Sequence, residues 1–539
     1  MSQSVIETVQ ASGITKEEPG QRSRALWLHR AIVALLFMFA LCAPHSIAAT
    51  QIAWGCALFL WAVSFAVRPR PKVYRTPLDY ALLGLFILTF ISAIFSYDII
   101  VSLGKLRAAS LFTIVYLVAE NVTSWRLLRL LALALVGSCM LNVVYTFGER
   151  IVGRGVKVEG LAAASPLRAA GIKDGDTLLE VDGRPLRSLD QLDRDLAAGG
   201  SVAAPAGVKI YRFEWVHVYD VPRGQELEGA TGAARLGVGS WSHGRDWRAT
   251  GFYSHYVTYA EALQLITSLA VGLLVALRRK RSWPGILLAV MIAGLSGALL
   301  LTVTRASWLS MLLSAFVIVL TGTASRRVAM ILLVALLPVI FAGLLLLQQK
   351  RHVGFFDPSD GSITWRETVY REGVELLLKK PRHLLVGIGM DSIKSHWREW
   401  GMFDHGRLPI GHMHSTPLQL ALERGIPAML VWLALVGLYG RMLWHLARGR
   451  GYRVEGWIER GIVLGALGGL VGFFSSGLVH YNLGDSTVAM IFYFIMGLTL
   501  VVERLTRTGF PNGAARIGAP YAKHTSPSDI YPSVKSGLK

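Results

Sequence analysis

The sequence predicts an α-helical polytopic membrane protein that carries a small α+β insert and a helical loop outside the membrane. Of its 539 residues, 53% are hydrophobic and only 17% are charged, whereas a soluble domain carries about a quarter charged residues. Apolar stretches recur along the whole chain, and each is long enough to cross a hydrocarbon core of ~30 Å. These observations exclude a soluble globular protein.

About twelve apolar segments are long enough to be transmembrane helices. The two segments that flank Arg305 are interpreted as separate helices with a tight turn between them, because their combined length exceeds one crossing. The predicted spans are 25–43, 47–67, 78–96, 100–119, 125–146, 255–277, 284–303, 306–323, 328–348, 417–446, 459–480 and 486–503.

The placement of lysine and arginine predicts which connections face the cytoplasm. Basic clusters fall on every second connection, and cytoplasmic loops carry an excess of Lys and Arg. Both termini join the basic side, so the other connections face the periplasm or the exterior. The clusters are 68–75, 278–281, 325–327 and the arginines between Arg441 and Arg460.

This topology divides the chain into seven segments. Two cytoplasmic tails enclose three groups of membrane helices, and two outer segments separate those groups. The segments are 1–24 (tail), 25–146 (helices one to five), 147–254 (outer insert), 255–348 (helices six to nine), 349–416 (outer loop), 417–506 (helices ten to twelve) and 507–539 (tail).

The formal net charge of +20 is explained by basic cytoplasmic loops that contact anionic membrane lipids. The sequence has no basic patch interleaved with aromatic residues, so nucleic acid is excluded as a partner. The three cysteines, Cys42, Cys56 and Cys139, lie in apolar segments without metal-ligand spacing. They are interpreted as small buried hydrophobic residues.

Residues 147–254 form a separate α+β unit. The stretch "AGIKDGDTLLEVDGRPL" contains an Asp-Gly turn, a short alternating strand and a second Asp-Gly turn. An amphipathic helix from Leu189 to Leu196 and a strand "GVKIYRF" follow. The stretch "SPLRAAGIKDGDTLLEVDGRPL" resembles the core of a PDZ domain, which implies a peptide or protein partner at a sheet edge. The alternative is a structural insert that packs on the membrane unit.

Three arginines on the predicted outer face are candidates for binding phosphate. Arg305 lies between two apolar runs, Arg248 precedes the sixth span, and Arg366 lies on the first turn of an amphipathic helix. The planar guanidinium fork matches phosphate oxygens, and ionisable residues at the ends of spans are functional candidates. The alternatives are snorkelling to the interface for Arg305, an interfacial position for Arg248 and a solvated helix face for Arg366.

Two histidines, His412 and His414, stand before the tenth span in "GHMHSTPLQLALERGIPAML". A near-neutral imidazole suits a base or a positioning group. The pair could also bind a metal, but Asp404 and His405 are the only nearby candidates for further ligands, and no metal is predicted. Supporting candidates on the same predicted face are Glu423, His480 and Asp485.

Five stretches together resemble the O-antigen ligase/polymerase superfamily of bacterial envelope proteins. They follow the order of the family's motifs over approximately residues 248–490. Thr304 and Ala306 stand where the family usually has Ser and Gly. The stretches are "RATGFYSHYVTYAEAL", "TVTRASWLSML", "WRETVYREGVELLLKKPRHLLVGIGMDSI", "HMHSTPLQLALERGIPAML" and "HYNLGDS".

The resemblance implies an O-antigen ligase, an inverting glycosyltransferase of the bacterial inner membrane that needs no metal or other cofactor. Its donor is a glycan on a polyprenyl diphosphate, its acceptor is a sugar of lipid A-core, and its site faces the periplasm. By motif, Arg305 and Arg366 bind the donor diphosphate and Arg248 is a further donor contact. His414 is the catalytic histidine, and His412 is its helper.

Three alternatives stay open at this point. A polymerase of the same superfamily lengthens the glycan on its carrier, and a protein-glycosylating relative transfers the glycan to a protein. A lipid or glycan transporter performs no chemistry, but it should place ionisable groups near the membrane midplane, often within internal repeats. Here the candidates lie at helix ends, and no repeat is detected.

Overall fold

The computed structural model describes residues 19–508, apart from 69, 72, 199–203, 213–214, 226, 246, 324–326, 328–360, 450–453 and 455. The described chain is a helical bundle that carries an antiparallel sheet and a helical loop. The predicted ninth span, 328–348, and most of both predicted tails lie outside the described residues.

The first part of the bundle contains seven helices. Several begin at side-chain caps; Ser124, for example, accepts a hydrogen bond from the Leu127 N–H at 3.3 Å. A 3₁₀ turn, Ser110–Phe112, separates α5 from α6. The helices are α1 (Pro19–Cys42), α2 (Ile47–Ser64), α3 (Asp79–Ile94), α4 (Ile99–Gly104), α5 (Leu106–Ala109), α6 (Thr113–Asn121) and α7 (Trp125–Val152).

The insert is a six-stranded antiparallel sheet with its own apolar core. The strand order is β5-β4-β2-β1-β6, and β3 pairs with β2. Asp182 and Gly183 both have positive φ at the turn between β2 and β3, as a tight hairpin turn requires. The elements are β1 (Val156–Leu161), α8 (Pro166–Ala169), β2 (Thr177–Val181), β3 (Arg184–Pro185), α9 (Leu189–Ala197), β4 (Ala206–Arg212), β5 (Trp215–Val221), α10 (Gly232–Arg235) and β6 (Val238–His243).

The remaining helices complete the bundle and form the outer loop. Between α16 and α17, a turn at Met402–Gly406 has left-handed residues, and a 3₁₀ turn, Asn482–Gly484, precedes the last helix. The helices are α11 (Tyr256–Ala276), α12 (Trp283–Leu301), α13 (Arg305–Gly322), α14 (Gly361–Leu378), α15 (Pro381–Val386), α16 (Ser392–Trp400), α17 (Thr416–Arg424), α18 (Ile426–Ala447), α19 (Trp457–Gly477) and α20 (Ser486–Thr508).

The prediction of a mostly helical polytopic membrane protein is confirmed. Among the described residues, ten helical segments are long and apolar enough to cross a membrane when Ile99–Asn121, which contains α4 to α6, is counted as one, and α3 is a shorter apolar helix. The two helices predicted around Arg305 are separate, as α12 and α13. The predicted single span 417–446 is instead two helices, because the chain breaks at Gly425, where φ is +85°.

The predicted basic connections gather at one end of the bundle. Arg129 pairs with Glu459 at 2.5 Å, and Arg460 donates to the Gly322 carbonyl at 3.3 Å. Tyr74 donates to Glu503 at the same end. We call this the basic end, and the end that carries His412 and His414 the histidine end. Successive connections alternate between these two ends, in agreement with the pattern of Lys and Arg in the sequence.

Helices α11 and α19 approach each other closely at glycines. A Cβ atom on Gly272 would lie 2.3 Å from the Gly465 nitrogen, and one on Gly465 would lie 2.6 Å from the Leu269 Cα. Small residues allow such approach where lipid provides no hydrophobic driving force between helices. This contact fixes α11 against α19, and both helices lead to the histidine end.

Replacing Gly272 with alanine should destabilise the bundle, because the added methyl group has no space between α11 and α19. We expect a loss of about 1–3 kcal/mol of folding stability, as is typical of overpacking. A lower thermal unfolding temperature of the purified protein would show it. Gly437→Ala is the matched control, since nothing lies within 4 Å of a Cβ atom there. Equal unfolding temperatures for the two variants would contradict the prediction.

Candidate active site

The two histidines lie on a turn that is held by the residue between them. Met413 is fully buried, and its backbone N–H donates to Oε1 of Gln419 at 2.6 Å. His414 has a left-handed backbone with φ of +47°, and the His412 and His414 ring centroids are 4.2 Å apart. Such a conformation is uncommon for a residue other than glycine and often marks a functional site.

Helix α14 forms one wall of the site. The Trp365 ring meets the His414 ring edge-on, with centroids 4.7 Å apart. The Tyr370 hydroxyl lies 2.8 Å from the His414 carbonyl and 3.3 Å from the Leu478 carbonyl. These contacts hold α14 against the histidine turn and the end of α19. They bring the Arg366 charge close enough to affect His414.

Glu423 supports the site by binding two neighbouring segments. Its side chain is almost fully buried, and its Oε1 accepts a hydrogen bond from the Asp391 N–H at 2.9 Å. Its Oε2 accepts a hydrogen bond from the Tyr481 hydroxyl at 3.3 Å. The Tyr481 ring lies 5.7 Å from the His412 ring. Glu423 therefore positions groups beside the histidines and does not itself contact the His412 ring.

His480 is oriented by a carboxylate that the sequence analysis did not single out. Its Nδ1 lies 2.9 Å from Oε1 of Glu261, and both side chains are buried. The Ser476 hydroxyl donates to the same oxygen at 2.6 Å. Glu261 is the only acidic residue between 255 and 277, and an acidic residue inside a span was the signal that could have identified it.

Asp485 and Arg248 lie on adjoining segments. Asp485 accepts a hydrogen bond from the Thr258 hydroxyl on α11 and one from the Thr487 N–H at the start of α20, the latter at 3.0 Å. The Arg248 guanidinium lies over the Tyr256 ring, 4.3 Å from its centroid. Asp485 therefore joins two helices, while Arg248 lies beside the start of α11.

Arg305 begins α13 at the same end of the bundle. The neighbour of Arg248, Ala249, donates its N–H to the Leu301 carbonyl at 2.9 Å, just before the turn that leads to Arg305. One turn further along α13, Ser310 bonds to Ser475 of α19 at 3.0 Å. The structure thus places all three predicted arginines at the histidine end, and the charge of Arg366 acts on His414.

Burial and neighbouring charges keep both histidines neutral. Burial is the main cause that lowers the pKa of His412 to about 4, and the charges of Lys394 and His480 contribute. Burial likewise lowers the pKa of His414 to about 2, with contributions from His412, His480 and Arg366. Both imidazoles are therefore unprotonated but weaker bases than a free histidine, and a bound anion would raise these pKa values by offsetting the neighbouring positive charges.

The arrangement combines fixed cations with uncharged imidazoles in a largely buried place. Guanidinium groups held near a departing anion stabilise its charge more strongly where water is scarce. An imidazole within reach of a hydroxyl can take its proton as the hydroxyl attacks. The fold and the site therefore describe a polytopic membrane protein whose side chains suit a transfer reaction in which the carrier leaves as an anion.

Comparison with known families shows which membrane proteins part of this chain is similar to. Residues 290–433 match the family model described as "O-Antigen ligase". The match confirms the resemblance to the O-antigen ligase superfamily, and it contains Arg305, Arg366, His412, His414 and Glu423. These residues are therefore similar to the O-antigen ligase/polymerase superfamily, to which glycosyltransferase-type activity is attributed. The PDZ-like resemblance of the insert stays a prediction, as do the roles of the individual residues.

A second comparison concerns a shorter stretch. The chain is 31% identical over 112 residues to a protein of Treponema pallidum (strain Nichols) named "Putative zinc metalloprotease". The aligned stretch spans 21% of this chain and 23% of that protein. Within the described ranges, no group of three or more His, Cys, Asp or Glu side chains is arranged to hold a metal ion. Because the alignment covers less than a quarter of that protein, the activity in its name is not carried over to this chain.

The lowered pKa values predict how folding stability changes with pH. Below pH 6.5, the ordinary pKa of histidine, the unfolded state binds protons at these residues while the folded state does not. The free energy of unfolding therefore falls as the pH decreases from 6.5 toward the lowered pKa of the folded state. The unfolding temperature should therefore decrease between pH 7 and pH 4. The decrease should be smaller in a His412→Gln, His414→Gln double variant. It should be unchanged in His217→Gln, which alters an exposed histidine; identical slopes in all three proteins would contradict the assignment.

Proposed function

We propose that this protein is an inverting, metal-independent O-antigen ligase. It moves a glycan from a polyprenyl diphosphate carrier to a sugar of lipid A-core. The observation that carries the proposal is the neutral pair His412 and His414, held in contact beside the charge of Arg366. The family match over residues 290–433 supports the superfamily, and the local geometry supports the roles of the residues.

In the proposed reaction, an acceptor hydroxyl attacks the anomeric carbon of the glycan. The bond between that carbon and the diphosphate oxygen breaks, and the diphosphate leaves with the electron pair. His414 takes the hydroxyl proton as the new glycosidic bond forms. Arg366, Arg305 and Arg248 bind the diphosphate and stabilise its developing charge. The bound diphosphate also offsets the Arg366 repulsion and makes His414 a stronger base when the donor is present.

Two further roles are proposed for parts of the chain outside the reacting centre. His480, held by Glu261, orients the histidine pair, and Asp485 fixes the segment that carries His480. The histidine end faces the periplasm of a bacterial inner membrane, since the basic connections lie at the other end. This orientation suits a lipid donor that is presented at the outer leaflet.

The acceptor distinguishes the ligase from two other candidate functions. A polymerase would use another carrier-linked glycan as acceptor, and a protein-glycosylating relative would use a protein. The insert favours the latter only if it binds a peptide. Strand β1 is paired with β6 over Val156–Leu161, so strand addition would have to use β5 or β6, the two ends of the strand order among the described residues.

Replacing His414 with alanine should lower the transfer rate by roughly 10²–10⁴-fold, the usual contribution of a general base. The assay combines purified protein, carrier-linked glycan and lipid A-core in the presence of a metal chelator. Unfolding temperature and size-exclusion profile establish that the variant is folded, and His217→Ala is a matched control on an exposed histidine. An unchanged rate in His414→Ala would remove this residue as the base.

The product of the same assay tests the acceptor. Glycan attached to lipid A-core is the expected result for a ligase. Longer chains on the carrier, with lipid A-core unmodified, would instead indicate a polymerase. Activity that is seen only when the chelator is left out would contradict a metal-independent reaction.

A further inference from the structure

A crevice lies beside the histidine pair, on the far side of Tyr481. It runs between α3, the α4–α5 segment and the end of α17, and it forms a cavity of about 80 Å³ that opens to solvent. Polar groups of Lys105, Asp391, Glu423 and Arg424 line one part of it. None of these residues was assigned above to binding of the donor diphosphate.

Arg424 is buried in this crevice with most of its hydrogen-bonding capacity unused. The residue is only 8% exposed, and its Nε has no hydrogen-bond partner. Its guanidinium donates two long hydrogen bonds to neutral groups, the Thr89 hydroxyl at 3.4 Å and the Tyr481 hydroxyl at 3.3 Å. A guanidinium group has five N–H donors, and leaving a buried charge without partners is costly. A ligand with several acceptor oxygens would satisfy them.

The two acidic side chains that line the crevice already have partners. Asp391 pairs with two lysines, Lys105 at 2.5 Å and Lys394 at 3.1 Å. The two oxygens of Glu423 are occupied by the Asp391 N–H and the Tyr481 hydroxyl. Of the two basic residues in the lining, Lys105 is thus paired with Asp391, and Arg424 is the cation with unused donors, so the expected ligand group is an anion. Phosphate matches a guanidinium fork in both charge and geometry.

The rest of the crevice is apolar and adjoins the lipid-facing surface. Leu82, Leu85 and Phe112 line its wall, and Ala108 is partly accessible. Leu83, on the same helix as Leu82, is 51% exposed, as expected for a side chain that faces lipid. A small soluble anion would leave this apolar wall uncovered, whereas the chain of a lipid would cover it.

We propose that this crevice is a second lipid site, in which Arg424 binds the phosphate group of a lipid and the apolar wall holds its chain. The site is separate from the donor arginines but close to the histidines, since Tyr481 contacts both the His412 ring and Arg424. If the proposed function holds, this position suits the acceptor lipid, whose sugar would extend past Tyr481 to His414. Phosphate binding itself does not depend on that reaction.

The test uses the full-length protein in detergent micelles, titrated separately with dioleoylphosphatidic acid, dioleoylphosphatidylcholine and inorganic phosphate. Binding is measured by native mass spectrometry and by the shift in unfolding temperature. Phosphatidic acid should bind best, and Arg424→Gln should weaken it roughly tenfold or more, because charge-assisted hydrogen bonds are lost. Arg398→Gln removes the same charge from an exposed position on α16 and should change the affinity less than twofold.

A second variant keeps the proposal testable if Arg424→Gln does not fold. Ala108→Phe fills the apolar part of the crevice without altering a charge, and it should also weaken phosphatidic acid binding. Equal binding of phosphatidic acid to wild type and to both variants would overturn the site. Equal effects of inorganic phosphate and phosphatidic acid would overturn its assignment to a lipid. His414→Ala should bind phosphatidic acid normally, so failure of the proposed reaction and failure of this site are distinguishable.

Discussion

The site depends on the close passage of two backbone segments near Gly425. The N–H groups of Ile388 and Gly389 donate to the carbonyls of Leu422 and Glu423, each at 2.9 Å. A Cβ atom on Gly387 or Gly425 would lie 2.3 Å from backbone atoms of the opposite segment. Both glycines have positive φ, so a side chain would be excluded by space and by conformation. This contact joins the outer loop to the bundle and thereby sets where α14 and the histidine turn can lie.

Once these segments meet, burial and neighbouring charges set the protonation of the histidine pair. Burial is the main cause that lowers the pKa of His412 and of His414, and the charge of Arg366 adds to the effect on His414. The state of lowest free energy therefore has neutral imidazoles at His412 and His414 and charged arginines. Such a site is already arranged for an anion, because binding an anion removes repulsion and needs no reorganisation of the cations.

Hydropathy and the positions of ionisable residues predicted much of this arrangement. Local hydropathy predicted the separate helices on either side of Arg305. The positions of Lys and Arg predicted that the connections alternate between the two ends of the bundle. The His412–His414 pair was visible as polar residues before an apolar run. The break at Gly425 was missed, because the apolar pattern continues through "ERGIP". The pairing of Glu261 with His480 was missed as well, since hydrogen bonds between residues 219 positions apart leave no trace in local sequence. Long-range contacts of this kind are set by packing.

The positions of the side chains suggest why the histidines lie between two charged regions. Rings and hydroxyls form a continuous row from Trp365 through His414 and His412 to Tyr481, which reaches Arg424. The Arg366 charge acts at one end of this row, and the crevice that contains Arg424 opens at the other. If two phosphate-bearing lipids occupied these ends, their head groups would be kept apart by uncharged aromatic rings. The reacting sugars would then meet at the imidazoles, where the anions on either side would stabilise the imidazolium that forms when His414 takes the proton.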